Sequence, residues 1–134
     1  MLSKHNKRIF IVIVAIALFY MLYVKLIVEK FDSKPKVTII MFYAAWCHFC
    51  KSYRKSNTFM NTYETSIHNK DDISFMEYDY DLHKHLGEKY EVSSFPTILS
   101  IDEHGNKIDE FSGDRNSGIQ LVNFANQSIQ SIKN

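Results

Sequence analysis

The sequence predicts an α/β domain built on a mixed sheet, preceded by one membrane-spanning helix. Three observations carry this. Residues 9–24 hold no charged side chain. Beyond residue 36, apolar runs of strand length alternate with stretches of helical period. Gly, Pro and Asn fall between those stretches, where turns are needed. The chain has 134 residues, the size of one domain. With 14% aromatics, 4 Gly, 2 Pro and 2 Cys, it is neither disordered, collagen-like nor disulfide-dense.

Charge divides the chain in the same place. Residues 1–36 carry seven Lys and Arg against Glu29 and Asp32, a balance of +5, and the rest carries nine against thirteen acids, −4. The sum of +1 excludes nucleic acid as a bulk electrostatic partner.

Residues 9–28 are apolar except for Lys25, and twenty residues are about the length that crosses ~30 Å of hydrocarbon. Lys25 lies near the end, where its stem reaches the headgroups. Tyr20 and Tyr23 fall where an aromatic belt would lie. Ala15 and Ala17 sit mid-segment and bulky residues occupy the expected cleavage region, so residues 1–28 read as an uncleaved signal anchor. Lys4, Lys7 and Arg8 favour a cytoplasmic N-terminus, but the lysines at 25, 30, 34 and 36 blunt that bias. Residues 29–36 are polar, contain Pro35, and read as a non-helical linker. The domain then spans 37–134.

Residues 37–43 form a continuous apolar run, as expected of a strand buried on both faces. Phe49, Tyr53, Ser56, Met60, Tyr63 and Ile67 follow at helical spacing and predict one long helix. Residues 73–78 read as a second strand. A short helix over 83–90 carries Leu82, Leu86 and Tyr90 on one stripe. Residues 97–101 form a third strand, Gly105-Asn106 a turn, and 107–111 a fourth strand. Ile119, Val122, Ala125 and Ile129 mark a last helix over 119–132. The order βαβαββα places helices on both faces of a mixed sheet.

The chemistry lies at Trp46-Cys47-His48-Phe49-Cys50-Lys51. The chain's two cysteines are three positions apart at a strand-to-helix junction. The N–H groups and dipole of a helix start favour a thiolate on Cys47. Cys50, one turn on, is placed to attack a mixed disulfide on Cys47 and release the substrate. His48, when protonated, adds to the thiolate's stabilisation. A structural zinc lacks its fourth ligand here. A copper or other metal carrier using Cys47, Cys50 and a histidine remains an alternative.

The segment Met41-Phe-Tyr-Ala-Ala-Trp-Cys-His-Phe-Cys-Lys51 resembles the active-site segment of the thioredoxin superfamily, and its Phe42-Tyr43-Ala44 lead is most similar to protein disulfide isomerase domains. Asp79, Tyr90-Glu-Val-Ser-Ser-Phe-Pro-Thr97, and Phe111, Gly113 and Arg115 match further family elements, over about residues 36–132. The resemblance implies a thioredoxin-like fold. It makes Cys47 the nucleophile, Cys50 the resolving cysteine, and Phe95–Pro96 a cis bond whose exposed backbone pairs with an extended substrate. It places Trp46 beside the first cysteine and gives Arg115 the role of an arginine that swings toward the resolving cysteine.

Four departures from the family pattern follow. The family's first βα unit is missing, its place taken by the membrane segment, which leaves one sheet edge less covered. The buried acid six residues before the first cysteine is Met41. A lysine position nineteen residues before Pro96 is Glu77, which suggests Glu77 as a relocated proton acceptor for Cys50; the alternative is an acid at the solvent end of a strand. A helix proline is replaced by Lys55, which predicts a straighter helix.

The expected function is membrane-anchored thiol–disulfide exchange on cysteine-containing protein substrates, through a redox-active Cys47–Cys50 disulfide, with no other cofactor and no metal. The His-Phe pair between the cysteines favours oxidase or isomerase over reductase activity. Trp46, His48, Phe49 and Phe95 form an apolar mouth for extended chains. A further, unidentified redox partner is required. The isomerase-like elements favour a lumenal domain, and the sequon Asn126-Gln127-Ser128 agrees with it. The rival is a protein-binding module whose redox pair is secondary.

Overall fold

A computed structural model describes residues 4–31 and 34–133. The chain divides into two compact units, residues 1–33 and 34–134.

The first unit is one helix, α1 (Lys4–Phe31). Its stretch Asn6–Val28 has a mean hydropathy of 2.7 and is long and apolar enough to cross a membrane. The helix runs past residue 28, through positions that the sequence assigns to a non-helical linker. Glu29, Lys30 and Phe31 carry no helix-breaking chemistry, and the first proline stands only at 35.

The second unit follows the order β1 (Val37–Tyr43), α2 (His48–Ser56), α3 (Thr58–Ser66), β2 (Ile73–Asp79), α4 (Lys84–Lys89), β3 (Thr97–Asp102), β4 (Lys107–Glu110), α5 (Gly118–Ser131). The sheet order is β2-β1-β3-β4. β1 runs parallel to β2, with Met41 opposite Glu77, and antiparallel to β3. The mixed four-stranded sheet of a thioredoxin-like fold is therefore present, and β2 is one of its edges among the described residues.

Central β1 explains its unbroken apolar run. Val37, Ile39 and Met41 join Tyr53, Phe59, Phe75, Leu121 and Phe124 in one layer, under α2, α3 and α5. Ile40 and Phe42 face the other way and pack with Leu99, Tyr90 and Val92 beside α4.

Two helical readings are corrected. The long helix is broken at Asn57, which takes a left-handed φ of 55°. Ser56 Oγ bonds back to the Tyr53 carbonyl at 2.6 Å, and the run Ser56-Asn57-Thr58 supplies side chains that compete with helical hydrogen bonds. The absent proline thus gives no straight helix. The break rephases the buried face, so α3 buries Phe59 and Thr62; in α2 itself, before the break, Phe49 and Ser56 of the predicted stripe are exposed. In α5 the buried stripe is Leu121, Phe124, Ala125, Ser128 and Ile129, and Ile119 is exposed. Gly118 lets α5 approach Thr62, whose Oγ1 a Cβ at this position would meet at 2.9 Å.

Candidate functional site

β1 delivers the chain to the site. Its last residues turn at Ala44, whose carbonyl accepts the Cys47 N–H at 3.0 Å, and α2 begins at His48. Cys47 is the N-cap of α2, and the Cys50 N–H donates to its Sγ at 3.2 Å. Cys47 therefore faces unpaired helix N–H groups and the positive end of the helix dipole. Both cysteines are free and buried. The Cys50 thiol lies 2.7 Å from Cys47 Sγ.

The second wall is the turn before β3. The Phe95–Pro96 bond is cis, and the Phe95 carbonyl lies 3.8 Å from Cys47 Sγ. Aromatic packing fixes that turn. Phe95 meets the ring of Trp46 edge-on at 5.7 Å and that of Tyr80 at 4.9 Å. Trp46 Nε1 donates to Asp81 Oδ2 at 3.1 Å. Trp46 and Phe49 nevertheless stay 65% and 77% exposed, and with His48 they form an open rim over a buried sulfur pair.

The sequence profile of the family described as "Thioredoxin" matches residues 24–127. The chain belongs to the thioredoxin family.

Its relatives include a protein disulfide isomerase-like 2-1 of rice, 36% identical over 103 residues, or 72% of this chain and 25% of the relative. A protein disulfide-isomerase of Aspergillus niger is 27% identical over 96 residues, 69% of this chain and 26% of the relative. The chain thus spans about a quarter of the length of these curated relatives. Among solved structures, the first thioredoxin domain of mouse protein disulfide-isomerase A4 superposes with a TM-score of 0.60 at 23% identity, covering 74% of this chain and 67% of that one. This likeness concerns the fold.

Cys50 is the more perturbed thiol. Burial, and the hydrogen bond its S–H gives to Cys47, push it up to about 11. No carboxylate is among the groups that act most strongly on it. Met41, at the position of the family's acid, is fully buried in the apolar layer. Glu77 accepts from Arg54 Nε at 3.1 Å, and the Arg54 guanidinium lies 3.9 Å from the centre of the Tyr43 ring. Glu77 is thus engaged with Arg54, and it is not among the groups that act most strongly on Cys50. Arg115 lies beside Tyr53 and Pro96 on the wall of a cleft, and its charge acts on Tyr53.

Sequence reasoning passed over Tyr53 and Arg54. Tyr53 stands on the predicted stripe and reads as core, but its hydroxyl is buried without a partner. Arg54 lies outside the helical stripe and outside the Trp46–Lys51 motif. Among the described residues no third His, Cys, Asp or Glu joins the two sulfurs in a metal-binding group.

Burial raises both Cys50, from 9.0 to about 11, and Tyr53, from 10.0 to about 12. A raised pKa in the folded state means that the unfolded chain loses its proton first. The associated stability is present below pH 9 and drains away as pH rises through 11 to 12. Urea midpoints of the full chain are expected to fall between pH 9 and 11, and a Cys50→Ala/Tyr53→Phe double variant should fall less.

Proposed function

We propose that this chain is a membrane-anchored thiol–disulfide oxidoreductase acting on protein cysteines, with its redox domain on the lumenal side. The observation that supports it most is the sulfur pair itself: Cys50 Sγ lies 2.7 Å from Cys47 Sγ, at the start of α2. The helix start favours the thiolate on Cys47, the outer sulfur. That thiolate attacks one sulfur of a client disulfide. A Cys47–client bond forms, and the other client sulfur leaves as a thiolate.

Cys50 then loses its proton and attacks Cys47 Sγ. The Cys47–Cys50 disulfide forms, the client's second thiolate departs, and the client has gained two electrons. The reverse sequence oxidises a dithiol client, and repeated attack without net transfer isomerises one. A redox partner resets the pair between rounds. Phe95, beside Cys47, offers backbone to an extended client, and the Trp46–Phe49 rim offers apolar contact.

α1 would hold this domain at a membrane. The lumenal assignment rests on the isomerase-type relatives and on the basic residues Lys4, Lys7 and Arg8 in the first turns of α1.

A Cys50→Ala variant of the full chain tests the reading. It should accumulate reducible mixed disulfides with client proteins through Cys47, and adding Cys47→Ser should remove them. Absence of any trapped species would favour a binding module. Stoichiometric metal lost on mutation, without trapping, would favour a metal carrier. Clients drawn only from the cytosol would overturn the lumenal orientation.

A further inference from the structure

A cleft of about 430 Å³ opens beside the sulfur pair, between Phe49 and Tyr53 of α2, the Phe95–Pro96 turn, and the loop 113–116. Two of its lining residues each carry a buried polar atom with no hydrogen-bond partner among the described residues, Tyr53 Oη and Arg115 Nε. Tyr53 as a whole is 7% exposed. Buried donors without partners are rare in folded proteins, and a pair in one cleft is an invitation to an acceptor.

The surrounding charges decide which acceptor fits. Asp114 also lines the cleft, but its Oδ1 accepts the Asn116 N–H at 2.9 Å within its own turn. Glu77 is held by Arg54. Arg115 makes no ion pair among the described residues. Tyr53 stays a hydroxyl at any physiological pH, because burial pushes it up to about 12, so it is available as a donor. Phe49, Phe95 and Pro96 supply apolar wall for a short methylene stem.

We infer that this cleft is a subsite for an acidic side chain of the client, close in sequence to the cysteine that reacts with Cys47. Tyr53 Oη and the Arg115 guanidinium donate to its carboxylate. The inference rests on the oxidoreductase reading and adds a selectivity to it: extended clients with Glu near the reactive cysteine are preferred over their neutral counterparts.

The test uses full-length protein carrying Cys50→Ala, so that only Cys47 reacts. Synthetic peptides with one activated cysteine carry a single Glu, moved from three residues before the cysteine to three after, and each has a Gln twin. The rate of mixed-disulfide formation is followed by mass spectrometry. At one or two positions the Glu peptide should react about tenfold faster, the size of one hydrogen bond to a charged group. Tyr53→Phe and Arg115→Gln should each reduce that ratio to about threefold or less. The preference should also shrink at high salt, which a purely structural role of Tyr53 would not produce.

Tyr53→Phe keeps the buried ring and removes only the orphaned hydroxyl, so its melting temperature should hold or rise. Should it fail to fold, Arg115→Gln decides alone. Equal rates for Glu and Gln twins at every position would overturn the subsite while leaving the exchange chemistry standing, as would a preference unchanged in both variants. No reaction with any peptide would overturn both.

Discussion

Resolution of a mixed disulfide on Cys47 is expected to be slow at neutral pH and to quicken about tenfold per pH unit up to about pH 10. Only the thiolate of Cys50 attacks. With the thiol pushed up to about 11, about one molecule in ten thousand carries that thiolate at pH 7. At the ordinary value of 9.0 it would be about one in a hundred. Part of the shift comes from the hydrogen bond to Cys47, which changes once Cys47 carries a client. Burial is the larger cause.

No carboxylate is among the groups that act most strongly on Cys50. The position that carries an acid in the family is Met41, fully buried. Glu77 is bound to Arg54, so Glu77→Gln should leave the pH profile of resolution unchanged within about twofold, less than a positioned base contributes. Met41→Asp should speed resolution at pH 7 by roughly 10- to 100-fold, at or below the usual range for a positioned base. It should also flatten the pH slope. It should cost about 3 kcal/mol of stability or more, because a carboxyl replaces a packed thioether. Single-turnover rapid-quench experiments with a peptide disulfide between pH 6 and 10 read all three proteins. A flat wild-type profile, or one that loses its slope in Glu77→Gln, would refute the argument. A mixed disulfide that lingers gives the client's other cysteines time to compete with Cys50, and this favours isomerisation over rapid reduction.

What could be read from the chain and what could not divide along one physical line. β1 and the sulfur pair were legible because their signals are local: a run of strand length, then two cysteines where a helix must start. The Phe95–Pro96 turn was legible through resemblance, since its Pro-Thr pair stands at family spacing before β3. Features set by tertiary contact were not legible. Glu77 shares a face of β2 with Ile73 and Phe75, and only the folded chain shows Arg54 of α2 reaching it. Tyr53 fits the helical stripe as core, and no periodicity reveals that its hydroxyl lacks a partner. Asn57 lies between two stretches whose apolar spacing continues across it, so the helical period carries no sign of the break.

That break makes the largest stability prediction. A continuous helix from 48 to 66 would carry Met60 into the core in phase with Tyr53. With Asn57 left-handed, Phe59 takes that place, 2% exposed and 4.8 Å from the ring of Phe75, while Met60 stays half-buried. Phe59→Ala should therefore cost about 3–5 kcal/mol. Domains of this size hold only about 5–15 kcal/mol in all, so the variant should be partly unfolded near body temperature. Met60→Ala should cost about 1 kcal/mol, the common size for a site that is not closely packed. Substitutions at the hinge read the backbone directly. Asn57→Gly should be neutral or slightly stabilising, and Asn57→Ala should destabilise by about 1 kcal/mol, because alanine resists a positive φ. A continuous helix demands the opposite order, with glycine about 1 kcal/mol worse than alanine. Chemical denaturation of the four variants separates the two arrangements by sign alone.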